Sequence, residues 1–157
     1  MKLKNIMFVC HGNICRSPMA EFILKDKLEK LGVLDKFTIK SSATSNEEIY
    51  SGIGNPVYPP AREELLKHGI TCNGKRAEQL KKSDYEKYDI FICMDAYNVK
   101  NAIRIFGHDN DNKIVKMLSF KNSDADVSDP WYTGNFSKTY FDIDTSCDFL
   151  VKILLSN

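Results

Sequence analysis

Short apolar runs alternate along this chain with segments of helical periodicity, and this alternation constrains the fold more than any other feature. The runs cover residues 6–9, 37–41, 89–94 and 113–118. The first and third are nearly continuous, as buried parallel strands tend to be. Strands that alternate with helices imply βαβ crossovers, and therefore a mostly parallel sheet with helices on both faces. The sequence thus predicts an α/β fold.

Local end signals place two of the intervening helices. Ser17 and Pro18 form an N-cap and first-turn pair for the first helix, and Gly32 is expected to end it. Asp95 is expected to cap a later helix that ends before Gly107. The last helical segment carries an apolar stripe that we expect to cover a face of the sheet. The stripe consists of Phe136, Tyr140, Ile143, Cys147, Leu150 and Leu154.

Length and charge narrow the class of protein. The chain has 157 residues, and we expect one domain over residues 1–157, because the loop 51–60 is too short to join independent domains. Lys and Arg number 22 against 21 Asp and Glu, so the formal charge is +1 and nucleic acid is not an expected partner. No apolar run approaches the ~20 residues needed to cross a bilayer, so no membrane partner is expected either.

Cysteine usage indicates a reducing compartment. The cysteines are odd in number and none lies in CxxC spacing, which argues against a secreted disulfide scaffold or a zinc ribbon. The cytoplasm is therefore the expected location. The five cysteines are Cys10, Cys15, Cys72, Cys93 and Cys147.

The residues that follow the first predicted strand form a loop of Cys-x5-Arg type that leads into the first helix. Successive backbone N–H groups in such a loop point inward and the helix N-terminus adds a positive dipole, which suits a tetrahedral oxyanion. Gly12 and Asn13 tolerate the left-handed angles that a tight turn needs. Arg16 is suited to bind two oxygens with its planar guanidinium. The predicted phosphate-binding residues are His11, Gly12, Asn13, Ile14, Cys15 and Arg16.

Cys10 is the predicted nucleophile of this loop. The field that attracts phosphate also favours a thiolate, and the Ser17 hydroxyl is expected to donate a hydrogen bond to the sulfur. A lone cysteine at a strand end is more commonly a small apolar residue. Here, however, the strand, the loop, the arginine and the capped helix occur together, which favours the catalytic interpretation.

Release of an alcohol or phenol from a phosphate ester requires a proton donor, and Asp129 is the predicted acid. It follows the fourth predicted strand and is stiffened by the proline after it. Trp131 and Tyr132 are expected to line a slot for an aromatic leaving group. Asp124 and Asp126 are rival acids on the same loop, but they lack the proline and aromatic neighbours.

These motifs together resemble those of the low molecular weight protein tyrosine phosphatases. The resemblance rests on VCHGNICRSP at residues 9–18, CMD at 93–95 and DPWYTG at 129–134. It implies a flavodoxin-like, three-layer fold with a four-stranded parallel sheet. It also implies attack by Cys10 on phosphorus, protonation by Asp129, a cysteinyl-phosphate intermediate, and no metal or other cofactor.

The resemblance implies further roles around the loop. Asn13, Ser17 and Ser42 are expected to form a hydrogen-bond network that supports it, and Tyr50 is expected to form the pocket wall opposite the DPWYTG segment. His11 lies at a position that helps to set substrate choice. Cys15 is a candidate redox partner of Cys10.

The sequence alone leaves several functions open. The favoured substrate is phosphotyrosine in a protein or peptide, with inorganic phosphate or a similar oxyanion as a further ligand. A protein arginine phosphatase of the same family is the main alternative. A thioredoxin-coupled arsenate reductase is disfavoured because Cys72 and Cys93 lie 21 positions apart (93 − 72). A receptor that binds phosphate without turnover is disfavoured by Asp129.

Overall fold

The computed structural model of the protein describes residues 2–156. Its strands are β1 (Asn5–Cys10), β2 (Thr38–Ala43), β3 (Ile49–Tyr50), β4 (Ile53–Gly54), β5 (Ile90–Cys93) and β6 (Ile114–Lys116). Four of these pair in parallel as one sheet in the order β2-β1-β5-β6, and β3 and β4 form a small antiparallel hairpin. The predicted four-stranded parallel sheet is therefore confirmed.

Helices connect the strands of the sheet, and two more helices follow the last strand. They are α1 (Arg16–Lys30), α2 (Pro59–Lys67), α3 (Asp84–Lys87), α4 (Ala96–Phe106), α5 (Pro130–Thr133) and α6 (Phe136–Leu155). Short 3-10 turns cover Leu34–Lys36 and Met117–Lys121. The fourth predicted strand, 113–118, is thus wrong at its end, because Met117 and Leu118 turn away from the sheet and bury their side chains in the core.

The sheet lies between two helical layers. Alternating residues of β1 enter opposite cores: Ile6 and Phe8 pack on the side of α1 and α6, whereas Met7 and Val9 pack on the side of α4. Both sets are almost fully buried. Burial on both faces explains why β1 reads as a continuous apolar run instead of an alternating one.

The structure confirms one predicted helix cap and contradicts another. The Asp95 side chain accepts a hydrogen bond from the N–H of Asn98 in a full capping box, and α4 ends at Gly107 with a left-handed φ of 85°, as predicted. The prediction that Ser17 caps α1 is wrong, because the helix begins at Arg16 and no side chain caps it. The Ser17 hydroxyl contacts Cys10 instead.

The carboxyl ends of the parallel strands meet at one edge of the sheet. There, β1 leads into the 10–16 loop, β5 leads directly to Asp95, and the segment after β6 returns to place Val127 against Met94 through an N–H to C=O hydrogen bond of 2.8 Å. This edge is where ligands bind in open parallel sheets.

Candidate active site

The 10–16 loop wraps around the sulfur of Cys10. The Asn13 N–H donates to the Cys10 Sγ over 3.3 Å, and the Ser17 Oγ lies 2.9 Å from the same sulfur. Asn13 has the left-handed φ of 59° that the turn requires, whereas Gly12 does not adopt a positive φ. A Cβ at Gly12 would lie 3.2 Å from the Glu48 Cγ, a tight contact that a shift of the Glu48 side chain by a few tenths of an ångström would relieve.

Arg16 is buried and held from two sides. Its Nη1 donates to the Asp95 Oδ2 over 2.7 Å and to the Val127 carbonyl over 2.9 Å, and its Nη2 lies 3.5 Å from the Asp129 Oδ2. Burial opposes the charge, but the negative charges of Cys10, Asp95 and Asp129 outweigh it and raise the pKa of the guanidinium. Arg16 is therefore a fixed cation at the end of the loop.

Asp129 faces this cation from α5. One carboxylate oxygen accepts the Trp131 N–H over 3.0 Å and so caps α5, while the other points toward Arg16. Its side chain is 29% exposed and lines the cleft, so it is within reach of a group bound there. Pro130 at the first helical position fixes the backbone after it.

The rival acids lie elsewhere. Asp126 forms an ion pair of 2.6 Å with Lys116 and accepts the Ala96 N–H, which together lower the pKa of its carboxyl. Lys116 also donates to the main-chain carbonyl of Asp124. Neither aspartate lines the cleft at Cys10, whereas Asp129 does.

A cleft of about 400 Å³ opens above the loop. Its floor is formed by the loop, and Trp131 and Tyr132 stand on one side, with the Trp131 ring centroid 4.8 Å from that of Tyr58. The lining residues are Cys10, His11, Gly12, Ile14, Cys15, Arg16, Glu47, Glu48, Asp129, Trp131 and Tyr132. The structure thus brings the predicted loop, acid and aromatic residues together.

The prediction for the opposite wall is wrong. Tyr50 does not line the cleft; it pairs with Ile53 in the β3-β4 hairpin and is 64% exposed. Glu47 and Glu48, which precede the hairpin, line the cleft. The His11 Nε2 lies 2.9 Å from the Glu47 Oε2, so the predicted specificity residue is tied to this acidic wall.

The hydrogen-bond network beside the loop contains Asn13 and Ser17 but not Ser42, which was predicted to belong to it. The Asn13 Nδ2 donates to the Ser17 Oγ over 2.8 Å and to the Ser41 Oγ over 2.9 Å. Successive side chains of a strand face opposite sides of the sheet, so Ser41 of β2 faces the loop and Ser42 faces away from it. The buried Ser42 hydroxyl has no hydrogen-bond partner among the described residues.

The cysteines are all present as free thiols within the described range. Cys15 lines the cleft with Cys10, and burial followed by the nearby charge of Cys10 raises the pKa of the Cys15 thiol. Cys72, Cys93 and Cys147 are buried in the apolar cores.

No metal site is evident in residues 2–156, where no three His, Cys, Asp or Glu side chains are grouped to hold an ion. Across the same stretch, none of the helices has the length and apolar character needed to span a membrane.

Three groups of residues at the site were not predicted from the sequence. Asp95 was expected only as a helix cap, yet it also binds Arg16; its position directly after a buried strand of the same sheet edge was the available signal. Glu47 and Glu48 carry no pattern that separates them from surface residues. Glu21 and Ser41 extend the network beneath the loop, and no short motif contains them.

Comparison with known proteins identifies the family of the chain. The family model for low molecular weight phosphotyrosine protein phosphatase matches residues 5–157. The chain is 38% identical over 149 residues to the low molecular weight protein-tyrosine-phosphatase YfkJ of Bacillus subtilis, covering 94% of this chain and 93% of that protein. It is 33% identical over 154 residues to PtpA of Staphylococcus aureus, covering 98% and 95%.

Solved structures are similar over nearly the whole chain. The crystal structure of YfkJ from Bacillus subtilis has a TM-score of 0.91 and 35% identity, covering 99% of this chain and 97% of that one. A low molecular weight protein tyrosine phosphatase from Streptococcus pyogenes has a TM-score of 0.84 and 35% identity, covering 97% and 93%.

Proposed function

We propose that this chain, which belongs to the low molecular weight phosphotyrosine protein phosphatase family, is a single catalytic domain that removes phosphate from phosphotyrosine in proteins. The supporting observation is the convergence of a buried cysteine sulfur, a fixed guanidinium and an aspartate on one cleft. The family relation and this geometry favour hydrolysis through a cysteinyl-phosphate intermediate.

In the first step, the Cys10 thiolate attacks phosphorus in line with the leaving phenolic oxygen. The S–P bond forms as the P–O bond to the leaving group breaks. Backbone N–H groups of the loop and Arg16 bind the non-bridging oxygens, and Asp129 donates its proton to the departing oxygen. The phenol then leaves between Trp131 and Tyr132.

In the second step, the Asp129 carboxylate takes a proton from water, and the resulting hydroxide attacks phosphorus. The S–P bond breaks, inorganic phosphate forms and Cys10 leaves as a thiolate. Ser17, 2.9 Å from the sulfur, stabilises that thiolate by hydrogen bonding.

An aromatic substrate suits the cleft because Trp131 and Tyr132 are 55% and 84% exposed at its mouth. One observation favours the alternative of a protein arginine phosphatase. Glu47 and Glu48 place two carboxylates at the same mouth, and carboxylates attract a guanidinium group. Comparison of phosphotyrosine with phosphoarginine peptides of identical flanking sequence decides between the two substrates.

The reductase alternative requires a relay of accessible thiols. Cys72, Cys93 and Cys147 are at most 4% exposed, so they are poorly suited to pass electrons from Cys10 to an external reductant. The free thiols also suit a reducing compartment, and we propose the cytoplasm as the location.

We also propose that Cys15 protects Cys10 from irreversible oxidation. Peroxide would convert the Cys10 thiolate to a sulfenic acid, and the Cys15 thiol would then attack that sulfur, form a disulfide and release water. If enzyme treated with peroxide regains no activity with thiol, or if peptide mapping finds no link between the two residues, this role is wrong.

The decisive assay measures hydrolysis of an aryl phosphate in the absence of added metal by wild type, Cys10→Ser and Asp129→Ala. We expect no turnover from the serine variant, whereas the alanine variant should bind phosphate but turn over at least about tenfold more slowly. Full activity of Cys10→Ser would remove Cys10 as the nucleophile.

A further inference from the structure

We propose that the buried carboxylate of Glu21 is a positioning residue that directs the Ser17 hydroxyl toward the sulfur of Cys10. The proposal rests on Cys10 being the nucleophile, and it assigns a role to a buried ionic group that the mechanism above does not use. Glu21 lies on α1 beneath the loop and is 3% exposed. It acts through Ser41 and Asn13 and touches neither the sulfur nor the substrate.

Glu21 is surrounded by donors. One oxygen accepts the Ser41 hydroxyl over 2.6 Å and lies 3.6 Å from the Lys75 Nζ, and the other accepts the Lys25 Nζ over 2.6 Å. Lys75 is itself nearly buried, and its Nζ donates to the Ser41 carbonyl over 2.9 Å. An ionised carboxylate has no proton to donate. The Ser41 proton must therefore point to Glu21.

The remaining protons can then be counted along the network. Because the single Ser41 proton is engaged by Glu21, the Ser41 oxygen acts as an acceptor, and it accepts one proton of the Asn13 amide. The second amide proton goes to the Ser17 oxygen. Ser17 also has only one hydroxyl proton, and the contact left for it is the Cys10 sulfur at 2.9 Å.

The contact of the Asn13 amide oxygen supports this orientation, in which the amide NH2 group faces Ser17 and Ser41. The main-chain N–H of Glu78 donates to the Asn13 Oδ1 over 3.0 Å. If the amide were reversed, its oxygen would face Ser17 and Ser41, and the Ser17 proton would be drawn away from the sulfur. Two anchors oppose that reversal: the Glu78 N–H on one side, and the Ser41 hydroxyl, held as an acceptor by Glu21, on the other.

Other charges near this group do not replace the carboxylate. Burial lowers the pKa of Lys75, while the neighbouring Glu21 and Glu78 oppose that effect and Lys40 adds to it. Lys25 is partly exposed and bonds only to the oxygen that faces away from Ser41. Among these groups Glu21 alone accepts the Ser41 proton.

The main test replaces both members of the buried pair, Glu21→Met together with Lys75→Met, which removes the acceptor without leaving an unpaired buried charge. The readout is the pH profile of Cys10 alkylation by iodoacetamide, with modification at Cys10 and Cys15 separated by peptide fragmentation in a mass spectrometer. We expect the midpoint for Cys10 to rise by about 0.5 to 1 pH unit, equal to about a three- to tenfold slower reaction below the midpoint.

Matched variants separate positioning from general support. Lys75→Met alone keeps the acceptor, so the profile should match wild type. Glu21→Gln offers an amide oxygen to Ser41 and should restore most of the wild-type profile. In a Ser17→Ala background, the double substitution should cause no further shift, because Glu21 acts through the Ser17 hydroxyl. Binding of inorganic phosphate, measured by calorimetry, should be retained because the loop amides and Arg16 are unchanged.

The proposal is wrong if the double variant folds and keeps the wild-type profile, or if its shift persists undiminished in the Ser17→Ala background. If the double variant does not fold, Ser41→Ala breaks the same link one residue nearer to the sulfur, and an unshifted profile in that variant refutes the proposal equally. None of these measurements depends on turnover. Failure of Cys10 as the nucleophile would appear instead as an active Cys10→Ser enzyme.

Discussion

Replacement of Asp95 by Asn tests how far the activity depends on a fixed Arg16. The substitution keeps the helix cap, because Asn and Asp cap helices about equally well. It removes the negative charge 2.7 Å from the Arg16 Nη1, in a pair whose side chains are 4% and 16% exposed. Arg16 and the Asn98 N–H now donate to different carboxylate oxygens of Asp95. Asparagine keeps one oxygen, so its NH2 group would replace the acceptor of Arg16 if the oxygen stays at the helix cap.

The expected loss of stability follows from the burial of the Arg16–Asp95 pair. Removal of one partner of a buried ion pair costs about 3–5 kcal/mol. Arg16 retains the Val127 carbonyl at 2.9 Å and the Asp129 carboxylate at 3.5 Å, so we expect a smaller loss of about 2 kcal/mol in the free energy of unfolding. The freed guanidinium should also lower kcat/KM for an aryl phosphate by about tenfold, because phosphate oxygens would meet a cation of less defined position.

The control is Asp126→Asn. Asp126 accepts the Ala96 N–H at the start of the same helix and pairs with Lys116, but its side chain is 50% exposed. An exposed ion pair contributes about 0–1 kcal/mol, so both stability and kcat/KM should stay near wild type. Urea denaturation and steady-state kinetics measure the two quantities. If Asp95→Asn matches its control in kcat/KM, Arg16 does not need this partner and the reasoning is refuted.

Three further predictions concern the walls and the core. Trp131→Ala should raise KM for an aryl phosphate by about tenfold and affect an alkyl phosphate less, because the ring lines the cleft and packs against Tyr58 at a tilted angle. Equal losses for both substrates would contradict an aromatic slot. Gly54→Ala should lower the free energy of unfolding by about 3 kcal/mol or more, since the new Cβ would lie 1.9 Å from the Ala77 carbonyl oxygen. An unchanged midpoint of urea denaturation would contradict that contact. Burial raises the pKa of Tyr140 to about 12, above its unfolded value of about 10. The contribution of neutral Tyr140 to the free energy of unfolding is therefore complete below pH ~10 and is lost as pH rises toward 12. Tyr140→Phe should show a shallower loss of stability across that window, and an identical pH slope would refute the assignment.

Much of the fold follows from local signals in the sequence. The run at residues 6–9 is apolar because β1 is buried on both faces, and that double burial is itself the signature of a central parallel strand. Asp95 precedes α4 with the spacing of a cap, and its local contacts suffice to start the helix. The loop from Cys10 to Arg16 is continuous in sequence, so its chemistry is visible without the tertiary structure.

The sequence predictions fail for residues whose surroundings are set by the tertiary structure. Ser41 and Ser42 are identical neighbours, and only the register of β2 against β1 determines which one faces Asn13. Tyr50 lies in a strand of two residues, too short to carry a periodic pattern, and its hairpin turns it toward solvent. Glu21 carries a charge, and charged helix residues are usually exposed; only its packing beneath Ser41 makes it a buried acceptor.

Whether the Cys10 sulfur carries phosphorus during turnover decides whether Cys10 is the nucleophile. Wild-type enzyme mixed with an aryl phosphate is quenched rapidly in acid, and the modified residue is located by mass spectrometry, with Cys10→Ser as the control. We expect a phosphoryl group on the sulfur of Cys10 that forms and decays at rates consistent with turnover. Continued release of phosphate with no phosphorus bound to that sulfur at any time point would contradict it.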